Sequence, residues 1–437
     1  MQQHTFKWRQ KSWIAIFLVL AFVVLAGCDD DDDDLTFGSV SGTITFLDQM
    51  PDAGQISLNL LESEDVKAEQ TIDVATISNN SLEFTFTEVD LGSYTIAIRW
   101  IEDQKTYFID QSALFSLTND NPDLSNFAIT ASFAAAKFAR ALSKATEFIT
   151  NSQNADGGFP FRIEISQDSD FETTTWATRA LLMTGADVNS PDIVSALNYI
   201  QEAQTDDGYY NEVNTAHSGF ALLTLTEAGV EGPAVDAAVA WLKDAQQDDG
   251  GWGSGLTPPS MTIYTGVVMT ALNAAGVPST DPVMVNCVAF CENTQNMDGG
   301  WAMVSGDSWS MTTGWILQSL LWLGVDNNSD VIQNARAFLY SCQHEDGGFG
   351  QMPPTPSDPE LTAYAMLPLL LLEGKTAEMT EAAYYLSDLQ QDDGTYVSAT
   401  PIEIENPEKN LQTTSFAVWA LDFYLDSEIT NHSNSRP

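Results

Sequence analysis

Six copies of one short pattern, in which Asp-Gly begins three residues after a Gln, limit the fold of this 437-residue chain more than any other feature. In each copy an aromatic residue follows the first glycine within two positions. Successive copies lie 42 to 51 residues apart, and they begin at Gln153, Gln204, Gln246, Gln295, Gln343 and Gln390. A period of this length is typical of a repeated supersecondary unit whose copies bury one continuous core together.

Each repeat contains two helical segments of different character. The segment before the motif is amphipathic, as in the stretch where Ala238, Val239 and Leu242 share one face. The glycine ends this helix because it adopts the left-handed backbone conformation readily. The segment after the motif begins near Thr or Ser residues that suit N-caps, and it is apolar nearly all round, so it must be buried. We therefore predict six pairs of outer and inner helices that close into an (α/α)6 toroid over residues 131–426, and the chain is mainly α.

The motifs of the form Gln-x-x-Asp-Gly-Gly-Trp or Phe resemble the QW repeats of squalene–hopene cyclases and the related repeats of protein prenyltransferase β-subunits. The resemblance extends from about Ala134 to Leu425. It implies the α/α toroid, and it implies that the motif Gln and aromatic residue tie one helix end to the next. Similar α/α architecture also serves complement-type thioester domains, cobalamin carriers and some pectate lyases, so the fold alone does not fix the function.

The acid motif of the cyclases is missing at the inner helix starts. In that family D-x-D-D-T-A holds the carboxylic acid that protonates an alkene. The closest stretch here contains Asp168, Asp170 and Glu172, but Thr173 and Thr174 stand where the last two aspartates belong. We keep these three acids as catalytic candidates because paired carboxylates serve general acid/base chemistry.

The zinc ligands of the prenyltransferases are also missing. That family uses an Asp, a Cys two residues later and a His on another inner helix, whereas His217 is the one His at an inner helix start here. Cys287, Cys291 and Cys342 fall on outer helices. We predict no metal site and no cofactor. These cysteines are expected to be buried free thiols, with one disulfide to Cys342 as the alternative.

The loops after the motifs and the starts of the inner helices should converge at one end of the ring, which we call the mouth. Carboxylates and aromatic rings around one concavity suit a sugar, an amine or a cation. The alternative interpretation is that most of these residues are solvated loop residues and helix caps. The candidate ligand-binding residues are Glu172, Trp176, Tyr210, His217, Tyr264, Asp307, Trp309, Glu360, Tyr364 and Gln412.

The N-terminus has the pattern of an export signal. Three basic residues precede the apolar run Ser12–Leu25, which is short for a membrane span and has the length of a signal-peptide core. The sequence Leu-Ala-Gly-Cys that ends at Cys28 resembles a bacterial lipobox. We predict a signal peptide over residues 1–28, lipidation of Cys28, and a membrane-anchored, extracytoplasmic location in a bacterial cell envelope, on the periplasmic face or the cell surface. The six aspartates at 29–34 repel one another and form an extended tether.

Residues 35–130 alternate between apolar and polar side chains, as at Ile56, Leu58 and Leu60, which is typical of half-buried β-strands. We predict a small β-sandwich. Short pieces such as the one around Gly42 resemble carboxypeptidase-regulatory-like (transthyretin-like) domains, which implies a spacer or docking role, with carbohydrate binding as the alternative. Residues 427–437 are predicted to be a disordered tail.

Charge excludes several classes of partner. The chain has 61 Asp and Glu against 16 Lys and Arg, for a formal net charge of −45. Nucleic acid binding needs clustered cations, and so does docking of a folded surface on anionic lipid.

These observations favour a lipoprotein whose toroid binds a ligand, either a small apolar molecule or a carbohydrate, or an envelope protein partner. The alternative is an exported enzyme on the same scaffold that uses the mouth carboxylates, either a divergent terpenoid-type cyclase or a polysaccharide-acting enzyme such as a lyase. A third possibility is a purely structural platform in an envelope complex. Because both catalytic sets of the resembling families are missing, we expect binding rather than catalysis.

Overall fold

The computed structural model describes residues 37–48, 50–51, 53–163, 168–398 and 408–426. The chain divides into two compact units between Phe133 and Ala134. The predicted signal peptide with Cys28, the aspartate run at 29–34 and the tail at 427–437 lie outside the described residues. Within the described ranges, no helix has the length and apolar character needed to cross a membrane.

The first unit is a β domain of two sheets. Its strands are β1 (Phe37–Phe46), β2 (Gln55–Glu62), β3 (Asp65–Asp73), β4 (Ser81–Asp90), β5 (Gly92–Glu102), β6 (Lys105–Gln111), β7 (Phe115–Leu117) and β8 (Asp123–Ala131). One sheet has the order β4-β1-β8, in which β1 is antiparallel to β4 and parallel to β8. The other has the order β3-β2-β5-β6, with β7 paired to β5.

The period-two alternation gives the β domain its core. Ile56, Leu58 and Leu60 are fully buried along β2, as predicted, but Ser57 and Asn59 between them are buried too, so this strand is covered on both faces and is not half-buried. Gly42 lies where β1 runs beside β8, and a Cβ there would overlap the carbonyl oxygen of Phe127. Close approach of two backbones therefore requires glycine at this position.

The second unit is a ring of helix pairs. The outer helices are α1 (Ala134–Asn151), α3 (Pro191–Glu202), α5 (Pro233–Asp244), α7 (Pro282–Thr294), α9 (Asp330–Ser341) and α11 (Ala377–Leu389). The inner helices are α2 (Phe171–Met183), α4 (Thr215–Glu227), α6 (Thr262–Ala274), α8 (Ser310–Trp322), α10 (Pro359–Glu373) and α12 (Leu411–Asp426). Two short hairpins lie before α2 and α12, formed by β9 (Phe159–Pro160) with β10 (Ser169–Asp170) and by β11 (Tyr396–Ser398) with β12 (Glu408–Asn410).

The inner helices close on themselves. Each packs against the inner helix before it, and α12 packs against α2. Every residue of α8 from Ser310 to Leu320 is buried, whereas α5 buries only Ala238 and Leu242. The prediction of outer amphipathic helices and inner apolar helices in a toroid is confirmed.

The repeated Gln joins consecutive outer helices. Its side-chain amide donates to the carbonyl of the motif glycine and to a carbonyl of the next outer helix. For Gln246 these acceptors are Gly250 and Val283, at 2.9 and 2.8 Å. The amide of Gln390 donates to Ala141 of α1 at 2.6 Å, so the sixth copy ties the last outer helix to the first and closes the ring.

The glycine and the aromatic residue of the motif have distinct tasks. Gly250 has φ of +91°, and a Cβ there would lie 2.5 Å from the carbonyl oxygen of Asn286, so the next outer helix leaves room only for glycine. The buried Trp252 donates its backbone N–H to the hydroxyl of Thr265 on the following inner helix at 2.9 Å. The motif residues thus fix the fold, as the resemblance implies.

The three cysteines of the toroid are buried free thiols, so the alternative of a disulfide to Cys342 is not what the structure shows. Burial raises the pKa of Cys287 and of Cys342 to about 12, because it disfavours the thiolate. Among the residues that the structure describes, no group of three or more Cys, His, Asp or Glu is arranged to hold a metal ion.

Candidate functional site

Equivalent positions of the inner helices can be found from the hydroxyl that accepts the backbone N–H of the motif aromatic residue. These hydroxyls belong to Thr174, Ser218, Thr265, Thr313, Thr362 and Thr414. Two positions earlier come Glu172, Ala216, Ile263, Met311, Glu360 and Gln412, which we call the mouth layer. Two positions later come Trp176, Phe220, Val267, Trp315, Tyr364 and Phe416. Residues four apart share one helix face, so the second set lies one turn below the first.

Aromatic rings from five inner helices meet on the ring axis. Phe220 and Trp315 have ring centroids 5.7 Å apart although α6 lies between their helices. Trp315 likewise meets Phe416 at 6.4 Å across α10. Trp176 and Tyr364 complete this set, at 5.7 and 4.4 Å from Phe416. Contacts that skip a helix arise only near the axis, so these five rings form a packed layer, which we call the aromatic floor.

Glu360 lies in the mouth layer with no exposed surface. The side-chain amide of Gln412 donates to one of its carboxyl oxygens and the hydroxyl of Thr413 donates to the other, both at 2.6 Å. Burial is the largest effect on its pKa, and the nearby charge of Asp358 adds to it. Together they outweigh the hydrogen bonds with Thr413, Gln412 and Tyr364 and raise the pKa of Glu360 to about 8, so at neutral pH this group is mainly a neutral carboxylic acid.

The local sequence explains how Glu360 is placed. Asp358 caps α10 and accepts the backbone N–H of Glu360 at 2.9 Å, which fixes the first turn of the helix. Both oxygens of Asp358 also accept the hydroxyl of Ser398 at 2.9 Å. The cap holds Glu360 on the face of α10 that meets α12.

Tyr364 lies one turn below Glu360 and is 5% exposed. Burial is the main cause that raises the pKa of its phenol, and the charge of Glu360 comes next. The side chains of Trp315 and Gln412 hydrogen-bond to it, and the charge of Glu172 also raises the pKa. The phenol is therefore within electrostatic reach of two carboxyl groups that belong to different inner helices.

Glu172 pairs with an imidazole. Nε2 of His217 lies 3.3 Å from Oε1 of Glu172, and Nδ1 lies 3.6 Å from Oε1 of Glu212. Burial alone would lower the pKa of His217, but the hydrogen bond with Glu172 and the charges of Glu172, Glu212 and Asp170 outweigh it, so the pKa is raised. Protonation of the imidazole strengthens its pairing with Glu172.

One hydrogen-bond donor in the aromatic floor lacks an acceptor. In the described part of the chain, the indole N–H of Trp176 has no hydrogen-bond acceptor, and this residue is 6% exposed. A buried donor that lacks an acceptor is disfavoured by about 1–3 kcal/mol, so a ligand oxygen placed beside this N–H would gain a hydrogen bond.

The opposite end of the axis differs from the mouth. Arg179 donates to both carboxylate oxygens of Glu227, at 2.7 and 3.0 Å, and its guanidinium lies 4.3 Å from the ring centroid of Trp419. Arg179 and Glu227 therefore form a bidentate ion pair in which both carboxylate oxygens are occupied.

The structure brings six of the predicted residues together at the mouth: Glu172, Trp176, His217, Glu360, Tyr364 and Gln412. Asp170 caps α2 and accepts the backbone N–H of Thr173 at 2.7 Å. Asp168 and Asp307 are exposed loop residues, and Tyr264 and Trp309 are partly buried at the starts of α6 and α8. Tyr210 takes the place of the motif aromatic residue, where burial raises its pKa to about 12.

Sequence reasoning missed four contributors, which are Phe220, Trp315, Thr413 and Phe416. A signal for the three rings was available, because each lies two residues after the hydroxyl that accepts the motif N–H. Nothing in the sequence could have indicated Thr413, because its role depends on which helix lies beside α10.

Two family models match the chain. Residues 111–302 match the prenyltransferase alpha-alpha toroid domain, and residues 254–402 match the squalene-hopene cyclase C-terminal domain. A search of curated proteins found no significant match.

Solved structures share the toroid. A protein from Actinoplanes is 18% identical with a TM-score of 0.52, and the match covers 66% of this chain and 99% of that one. A variant of the type II terpene cyclase MstE from Scytonema, in complex with geranylgeranyl dihydroxybenzoate, is 16% identical with a TM-score of 0.51, covering 67% and 98%. A glycosidase variant is 14% identical with a TM-score of 0.51, covering 66% and 98%. At these identities the likeness concerns the fold.

Proposed function

We propose that this chain is an exported lipoprotein, anchored to a membrane through Cys28, whose toroid binds a carbohydrate at the mouth. The ligand class is inferred from one observation, which is that buried polar groups lie next to the aromatic floor. The carboxyl of Glu360, the amide of Gln412 and the unpartnered indole N–H of Trp176 lie beside or within that floor. Carbohydrates offer hydroxyl groups to such donors and acceptors and stack their apolar faces on aromatic rings.

A wholly apolar ligand fits this site less well. It would leave the indole N–H of Trp176 without an acceptor, and a buried donor in that state is disfavoured by about 1–3 kcal/mol. An anionic ligand would meet the Glu172 and Asp358 carboxylates in a chain of net charge −45. A neutral polyhydroxylated ligand avoids both penalties.

Export and anchoring rest on the sequence. The basic residues, the apolar run Ser12–Leu25 and the cysteine that follows support lipidation of Cys28. The aspartates at 29–34 and the β domain would then hold the toroid away from the membrane surface, where envelope polysaccharides are within reach.

Native mass spectrometry of the full chain tests the proposal. The protein is purified from its own host in a polyoxyethylene detergent, because sugar-based detergents would compete for the site. We expect bound masses that correspond to hexose or pentose units, and binding from a panel of neutral oligosaccharides. A bare chain that binds none of the panel and instead captures an envelope protein would overturn the proposal in favour of a protein-binding mouth.

A matched pair of variants locates the site. Trp176→Phe keeps the ring but removes the indole N–H, and we expect about tenfold weaker binding for the loss of one hydrogen bond. Trp322→Phe removes another indole N–H without an acceptor, at the last residue of α8 and far from the mouth, and should leave affinity unchanged. Equal effects of the two variants would show that the ligand does not use the mouth.

A further inference from the structure

Two carboxyl groups of the mouth layer have opposite surroundings. Glu360 is fully buried, and its hydrogen-bond partners Gln412 and Thr413 carry no charge. The side chain of Glu172 is 29% exposed and lies beside the His217 imidazole. A pair of carboxyls in such different environments favours one protonated acid and one ionised base at the same pH.

The two groups lie at one level of the ring on different helices. Glu172 on α2 and Glu360 on α10 occupy equivalent positions at one level of the ring, and α12 lies between their helices. Side chains of helices separated by a third helix can approach one another near the axis, as Phe220 and Trp315 do. Trp176 and Tyr364 lie one turn below Glu172 and Glu360, and both rings contact Phe416, so the two carboxyl groups lie above the same aromatic floor.

Beyond the binding proposed above, on which this inference rests, we infer that the mouth hydrolyses a glycosidic bond, with Glu360 as general acid and Glu172 as general base. Glu360 gives its proton to the glycosidic oxygen as the bond from that oxygen to the anomeric carbon breaks, and the bonding electrons leave with the oxygen. A water oxygen forms the new bond to the anomeric carbon, and Glu172 takes the water proton. One water is consumed, and proton exchange with solvent restores both groups.

The other residues of the mouth position these two. Gln412 and Thr413 hold the Glu360 carboxyl through both oxygens, so its orientation is fixed before a substrate arrives. Nε2 of His217 contacts Glu172, and Nδ1 lies 3.2 Å from the side-chain amide nitrogen of Asn211, which orients the imidazole beside the base.

The roles of Glu360 and Glu172 are tested by measuring how kcat depends on the leaving group of the substrate. The assay uses the full chain in a polyoxyethylene detergent. The probes are phenyl and dinitrophenyl glycosides of glucose, galactose, mannose and xylose in both anomeric forms. For the glycoside that the protein cleaves, Glu360→Gln should lower kcat about 1000-fold with the phenyl leaving group. It should lower kcat far less with dinitrophenyl, which departs without a proton. Glu172→Gln should slow both probes alike, because the base acts on the water.

Controls separate the outcomes. Glu231→Gln changes an exposed glutamate in the loop between α4 and α5 and should leave kcat unchanged. Oligosaccharide binding without turnover of any probe would overturn this inference and leave the binding proposal standing, whereas loss of both would overturn both. Equal loss on the two leaving groups in Glu360→Gln would remove Glu360 from the acid role. If that variant does not fold, the partly exposed Glu172→Gln tests the same reaction on its own.

Discussion

Glu360 gives the toroid a pH dependence that a single substitution should remove. Its pKa is about 8 in the folded chain against 4.5 for the free side chain, because burial disfavours its charged form. The folded state therefore holds this proton more tightly than the unfolded state between these two pH values. By linkage, the free energy of unfolding falls as pH rises from about 5 to 8.

The size of this pH effect on the free energy of unfolding follows from the shift in the pKa of Glu360. Integrating the difference in bound protons between pH 5 and pH 8 gives a loss of about 3 kcal/mol, as an order of magnitude. Glu360→Gln keeps the shape of the neutral acid, with one acceptor oxygen and an N–H donor group in place of the acid O–H, but it cannot ionise. We expect the variant to match the parent at pH 5 within about 1 kcal/mol and to be about 3 kcal/mol more stable at pH 8.

Urea unfolding followed by tryptophan fluorescence at pH 5, 6, 7 and 8 measures this difference. The many other carboxylates, and the His217 imidazole beside Glu172, titrate in both proteins, so the quantity to follow is variant minus parent at each pH. Glu231→Gln serves as the control and should show no pH-dependent difference, because Glu231 is exposed. A constant difference across the four pH values, or a variant less stable at pH 8, would refute the reasoning about burial.

Three further predictions concern the ring and its anchor. Gly250→Ala should lower the free energy of unfolding by well over the roughly 1–2 kcal/mol of left-handed backbone strain, because the added Cβ meets the Asn286 carbonyl. Gly276 has φ of +81° and open space around it, so Gly276→Ala should show the backbone strain alone in the same urea assay. Gln390→Ala should lower the free energy of unfolding by about 1–3 kcal/mol, through loss of its hydrogen bonds to Ala141 of α1 and to the motif Gly394. Protease cleavage near α1 should increase in parallel. Cys28→Ala should abolish incorporation of labelled palmitate, and label in that variant would contradict lipidation.

The toroid could be predicted from sequence because its determinants are local. A Gln, an Asp-Gly and an aromatic residue recur with a fixed spacing, and each contacts a backbone group that every repeat provides, as Gln246 does at Val283. Whether a helix is an inner or an outer one is also decided locally. A segment that is apolar all round, such as α8, must be buried whichever helices surround it. The residues of the mouth could be named for the same reason, because they lie at the starts of inner helices.

The roles within that set depend on the tertiary structure. Asp168, Asp170, Glu172 and Glu360 all precede or begin an inner helix, and their sequences do not distinguish them. In the folded chain Asp170 is a helix cap, Glu172 is an ion-pair partner, and Glu360 alone among the four is fully buried. Burial and pairing decide which carboxyl keeps its proton, and both are set by neighbours rather than by the residue itself.

The sequence by itself therefore determined the ring, its six repeats and the end at which polar groups collect. The packing of α10 against α12 decided that Glu360 would meet Gln412 and Thr413, which lie 52 and 53 residues further along the chain. The packing of inner helices from consecutive repeats brings residues this far apart in the chain within hydrogen-bond distance. The physical reason is that helix periodicity fixes which face of each helix is apolar, while the rotation and neighbours of each helix in the ring fix which polar side chain is removed from water.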